Sequence, residues 1–124
     1  MKIGSSGMKP FLSRDDFEIG QKVIGIVEDA KIIDTDFRTG QLVLEMSVKE
    51  LPKVSKEIEE KYKDGFMFSL NYTNQKRLID LGFDDTDKLR GRYIVLEKDA
   101  YKVESKKLGR TTEVIGFRIK EVGN

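Results

Sequence analysis

The stretch Phe66–Lys98, FMFSLNYTNQKRLIDLGFDDTDKLRGRYIVLEK, sets the reading of the fold. Phe66, Phe68, Leu70 and Tyr72 recur at every second position, the period of a strand with one buried face, which predicts Met67, Ser69 and Asn71 outward. Asn74 stands where a helix N-cap accepts the free amide of Lys76 or Arg77, and Leu78, Ile79 and Leu81 then supply an apolar face. Gly82 stops the helix. Asp84-Asp85-Thr86-Asp87 is turn chemistry that caps one further turn through Lys88 and Leu89, and Gly91 hands the chain to a second strand, Arg92-Tyr93-Ile94-Val95-Leu96. Strand, helix, strand is the reading, and if the flanking strands also pair, the helix plugs a small barrel.

Upstream, Pro10 to Asp16 is an extended lead-in, with Phe11, Leu12 and Phe17 placed to cover an open end of a core. Lys22 to Asp34 is a long strand pattern whose alternation slips between Glu28 and Lys31, as a bulged strand shared by both halves of a barrel requires. Asp34 to Gly40 connects it to the cleanest strand, Gln41 to Lys49, with Leu42, Leu44, Met46 and Val48 on one face and Val43, Glu45, Ser47 and Lys49 on the other. Ser55 then caps a short helix in which Val54, Ile58 and Tyr62 recur every four residues. Downstream, Asp99 to Glu113 is a long polar loop or an extended hairpin, and Val114 to Val122 is the last strand. The expected fold is therefore mainly all-β: a five-stranded OB-fold-like Greek-key barrel, with a short helix between strands three and four and an extra helix between strands two and three. Another small barrel or an α+β sandwich competes with it.

A chain of 124 residues, 38% hydrophobic and 36% charged, has material for one modest core and so for one domain. Met1–Gly7 reads as an expression leader ahead of a second initiator, Met8, which leaves residues 8–124 as the single OB-fold domain. The absence of cysteine and histidine removes disulfides, thiolate nucleophiles, imidazole bases and nearly every zinc site. No Gly-rich phosphate loop is present, and helix capping accounts for Asp84, Asp85 and Asp87 more simply than magnesium does. The expectation is a non-enzymatic protein with no cofactor and no metal. No apolar run approaches the roughly 20 residues of a membrane span, so a cytoplasmic protein without membrane contact is expected. The formal charge of +1 falls to zero without Lys2, so a nucleic-acid site has to come from local clustering.

Leu70-Asn71-Tyr72-Thr73-Asn74, Gly82 with Asp84-Asp85-Thr86-Asp87, and Gly91-Arg92 before a strand give the chain a resemblance to a known group, with weaker echoes at Asp16, Gly20 and Gly116-Phe117-Arg118-Ile119. The chain resembles small OB-fold proteins of phages, other mobile elements and archaea that are themselves similar to single-stranded DNA-binding proteins. The similarity runs from Asp16 over most of the chain as a pattern of turns and caps. Tyr72 departs from it where a basic residue is expected, and Leu89 stands near the place of a tryptophan. The resemblance implies the barrel architecture and suggests single-stranded DNA as ligand.

Binding a single strand takes cations along its backbone and aromatic faces for its bases. The outward faces of the second and third strands carry few aromatics, so the loops are the better candidates. Phe37 and Arg38 lie between the first two strands, and Tyr101 heads a segment in which Lys98, Lys102, Lys106, Lys107 and Arg110 outweigh Asp99 and Glu104. Phe37 and Tyr101 are expected to stack on bases. Arg38 and the Lys98–Arg110 cluster are expected on phosphates, with Lys49, Arg118 and Lys120 extending the track. The other reading is a protein-interaction or oligomerisation module in a replication, repair or recombination complex, for which the near-zero charge and the scarcity of strand-face aromatics argue.

Overall fold

The computed structural model describes residues 9–34, 39–105 and 109–124. Its strands are β1 (Lys22–Ile33), β2 (Gln41–Glu50), β3 (Phe66–Ser69), β4 (Tyr93–Ser105) and β5 (Arg110–Gly123), with helix α1 (Lys56–Tyr62) before β3 and α2 (Tyr72–Asp80) after it. They form one antiparallel sheet in the order β3-β2-β1-β4-β5. β4 lies beside β1 while β1, β2 and β3 follow one another, which is Greek-key connectivity. The expected bulge in β1 is present: the register with β2 shifts between Val27 and Asp29, leaving Glu28 out of the ladder, and again between Ile24 and Gly25. Such shifts sharpen the local twist and let one long strand serve β2 along part of its length and β4 along another.

The sheet does not close. No ladder joins β3 to β5 among the described residues, so the five expected strands form an open sheet and not a continuous barrel wall. β3 stops at Ser69 because Asn71 turns the chain into a helix, accepting the backbone amide of Asn74 at 2.9 Å. The N-cap is thus Asn71, three residues before the position expected. Tyr72 falls in the first helical turn and is 74% exposed instead of buried. Asn74 and Leu78, four apart and so on one helix face, are the buried residues of α2, while Ile79 and Leu81 point outward.

Side chains and the N-terminal segment do what the missing ladder does not. Asn74, 1% exposed, donates through Nδ2 to the Phe117 carbonyl (2.9 Å) and accepts the Ile119 amide through Oδ1 (3.0 Å). These are the two bonds a neighbouring strand would have made to β5. Arg77 Nε reaches the Ile119 carbonyl at 3.3 Å, and Arg14 Nη1 reaches that of Ile115 at 2.8 Å. On the opposite edge, Met67 donates to Pro10 and accepts from Leu12, both at 2.8 Å, so residues 10–12 run along β3. Met67 is buried for that reason, although its parity predicted an outward position. Both sheet edges are blunted where they face each other, which limits edge-to-edge association.

Val23, Leu44, Met46, Phe66, Ile94, Leu96 and Ile119 form the centre of the core between sheet and helices. Each buried side chain of this size contributes about 1.5–3 kcal/mol by leaving water. Phe17 stacks on Tyr62 at 5.8 Å and meets Phe117 edge-on at 5.4 Å, tying the N-terminal segment and α1 to β5. The Tyr62 hydroxyl accepts the Ser13 amide and donates to the Asp16 carboxylate, which also takes Lys61 Nζ at 2.7 Å. Burial raises the pKa of the Asp16 carboxyl, but the hydrogen bonds from Lys61 and Tyr62 together outweigh it and hold the group below its ordinary 3.8. A carboxylate depressed in the fold adds stability above its unfolded pKa and loses it as pH falls through the folded value. Asp16→Asn is therefore expected to be less stable than the parent at neutral pH, with the gap closing below about pH 4. Urea midpoints across an acid pH series measure it, and a gap independent of pH would remove the carboxylate from the clip.

Candidate nucleic-acid interface

Residues 99–105 and 110–113 pair within the extended hairpin of β4 and β5, the second of the two forms expected for this segment. Lys98, Tyr101, Lys102, Arg110, Arg118 and Lys120 all lie on these two strands, so the hairpin gathers most of the candidate cations onto one element. Lys49 stands apart at the end of β2, its ammonium 4.7 Å from the centre of the Tyr93 ring. Phe37, Arg38, Lys106 and Lys107 lie outside the described residues.

The hairpin's residues are not equivalent. Lys102 and Arg110 are exposed. Arg118 places its guanidinium 6.0 Å from the Tyr101 ring, while Lys120 pairs with Asp99 at 3.2 Å and Glu97 at 3.6 Å. That pairing draws the Asp99 carboxyl below its usual range, with the Lys120 hydrogen bond as the main cause. Lys98 Nζ donates to the carbonyls of Arg14 (2.7 Å) and Phe17 (2.6 Å), which makes it an anchor for the N-terminal segment.

Tyr101 corrects a sequence expectation. It lies within β4, not at the head of a loop, and is 7% exposed. Its hydroxyl accepts from Asn71 Nδ2 at 2.8 Å, so the ring is held at the junction of β4 with the start of α2. An open stacking face is not available there. The strand faces are closed in a similar way: Val43 and Met67 are buried, and Glu45 pairs with Lys31 at 2.9 Å and Lys9 at 3.8 Å.

The structure also brings in residues that strand periodicity passed over. Between β3 and β5 runs a groove of about 330 Å³ whose lining includes Phe11, Asn71, Tyr101, Ile115 and Gly116. It continues into a hollow of about 520 Å³ bounded by Arg14, Asp15, Lys98 and Glu113. Phe11, expected to cover an open end of the core, and Ile115 are each 41% exposed. In the acidic turn, Asp85 caps the turn Thr86–Lys88 by accepting the Asp87 amide at 3.0 Å, and Asp84 pairs with Lys88 at 2.8 Å, as capping chemistry predicts. Comparison with protein-family models, curated proteins and solved structures gives no match.

Proposed function

We propose that the chain is an OB-fold module that binds single-stranded nucleic acid, DNA in the first instance, along the β4–β5 hairpin, without catalysis. The strand order β3-β2-β1-β4-β5, with a helix between β3 and β4, supports the OB reading of a partly open Greek-key sheet. The observation that carries the functional reading is the exposure of Lys102 and Arg110 on one hairpin that also bears Lys98, Arg118 and Lys120. Phosphate neutralisation by such residues releases counterions, so binding weakens as salt rises.

The test is fluorescence anisotropy of a labelled single-stranded oligonucleotide at several salt concentrations, with duplex as competitor. Salt-dependent binding that resists duplex competition is the expected result. Lys102→Glu combined with Arg110→Glu is expected to weaken it and to flatten the slope of log affinity against log salt by about 1.4, two single-strand contacts' worth. An unchanged slope removes the hairpin from the interface.

A different surface favours a second reading. Ile32 (73% exposed) and Ile79 (58% exposed) border adjoining hollows that share Leu42, Leu70 and Gln75. Exposed apolar surface of this kind suits a protein-interaction module. Absence of oligonucleotide binding at low salt selects that reading.

A further inference from the structure

We propose that the groove between β3 and β5 accepts one nucleobase of the bound strand, an inference that rests on the nucleic-acid reading above and locates one base within it. Asn74 and Arg14 each bridge the gap between the two sheet edges by bonding to β5, and the groove lies between them with both in its lining. At about 330 Å³ it falls in the range of about 300–1,000 Å³ that small-ligand sites occupy. Its depth depends on position 116 being glycine. A Cβ built there meets only the Tyr101 hydroxyl, at 3.7 Å, so the space is open and not filled by packing.

The lining selects a flat, neutral ligand. Phe11 and Ile115 offer partly exposed apolar surface, and the Tyr101 hydroxyl, accepting from Asn71 Nδ2, keeps its own proton to donate to a carbonyl or ring nitrogen. Phosphate is the poorer fit. In the adjoining hollow Arg14 and Lys98 are balanced by Asp15 and Glu113, and both cations already donate to backbone carbonyls. A base has two apolar faces and an edge of acceptors, and stacking is indifferent to its identity. The base enters the groove while its phosphates stay on the exposed hairpin cations.

The chain has no tryptophan, so Phe11→Trp places a single indole at the groove. Titration of that variant with oligo-deoxythymidylate, read simultaneously by indole fluorescence and by anisotropy of a labelled oligonucleotide, is expected to quench the indole in step with binding. Adding Gly116→Val, which suits a strand position and intrudes on the groove beside the Tyr101 hydroxyl, is expected to diminish the quench strongly and weaken binding about tenfold, the worth of one stacked base. Gly116→Ala, with its smaller intrusion, is expected to fall between. Urea midpoints of both glycine variants at or above the parent's show that they fold. Binding without quenching, or quenching and affinity untouched by both glycine substitutions, overturns the groove assignment and leaves the nucleic-acid reading standing. No anisotropy change even at low salt overturns both.

Discussion

Gly65→Ala is expected to lower the stability of the chain by roughly 4 kcal/mol, a large share of the roughly 5–15 kcal/mol by which small domains are stable. Gly65 joins α1 to β3 with φ +112°, a conformation that L side chains rarely adopt. A Cβ there would also lie within the van der Waals surface of the Met46 carbonyl oxygen, and a backbone atom in a ladder has little freedom to retreat. Met46 pairs with Phe66, the first residue of β3, so relief of the clash pulls β3 away from β2 at its start. It also parts the edge-on contact of Phe66 with Tyr62, and with it the clip on Asp16. Gly82→Ala is the matched control. Gly82 has φ +95° with nothing near its missing Cβ, so only conformational strain of about 1–2 kcal/mol is expected. Urea unfolding of the two variants measures the difference. Equal losses would show that the steric term at Gly65 is absorbed by the segment that joins α1 to β3.

The elements that period and punctuation control were legible in the sequence. The alternation of Leu42, Leu44, Met46 and Val48 marks β2 because one face of that strand meets the core along most of its length. The irregular stretch near Glu28 marks the β1 bulge because a bulge costs one residue of phase. Phase alone fails where burial comes from outside the sheet. Met67 is covered by the N-terminal segment, a contact between residues more than fifty positions apart in sequence that no local pattern encodes. Tyr72 and Tyr101 exchange their expected environments for a related reason. Both Asn71 and Asn74 are good N-caps by chemistry, and choosing Asn71 moves the helix back by three residues, which exposes Tyr72 and sets an amide against the Tyr101 hydroxyl. The basic segment from Lys98 to Arg110 was visible as composition. The groove beside it was not, since it arises from a strand pairing that the chain omits.

That omission makes Asn74 the residue on which the seam depends. Asn74→Ala is expected to cost about 3 kcal/mol, because truncation leaves the buried Phe117 carbonyl and Ile119 amide without the partners that replace a neighbouring strand. Leu78, on the same face of α2, still packs into the core, so the helix stays attached while the edge of β5 loses its cover. The Ile119 amide is then expected to exchange with solvent faster by the same free energy as the midpoint shift, about two powers of ten. Asn74→Asp separates the two bonds. Its carboxylate still accepts from Ile119 but faces the Phe117 carbonyl with an acceptor, and that repulsion together with burial raises its pKa against the opposing pull of the Arg77 guanidinium at the Ile119 carbonyl. A raised acid is stabilising when protonated, so this variant is expected to gain on Asn74→Ala as pH falls, the protonated carboxyl donating to Phe117. Urea midpoints of the two variants over an acid pH range test this directly. A parallel pH response in both would mean that water enters the seam and satisfies β5 in place of Asn74. In that case the gap between β3 and β5 is an open channel along its whole length, and the groove bounded by Asn71, Asn74 and Tyr101 has no fixed floor against which a base could be held.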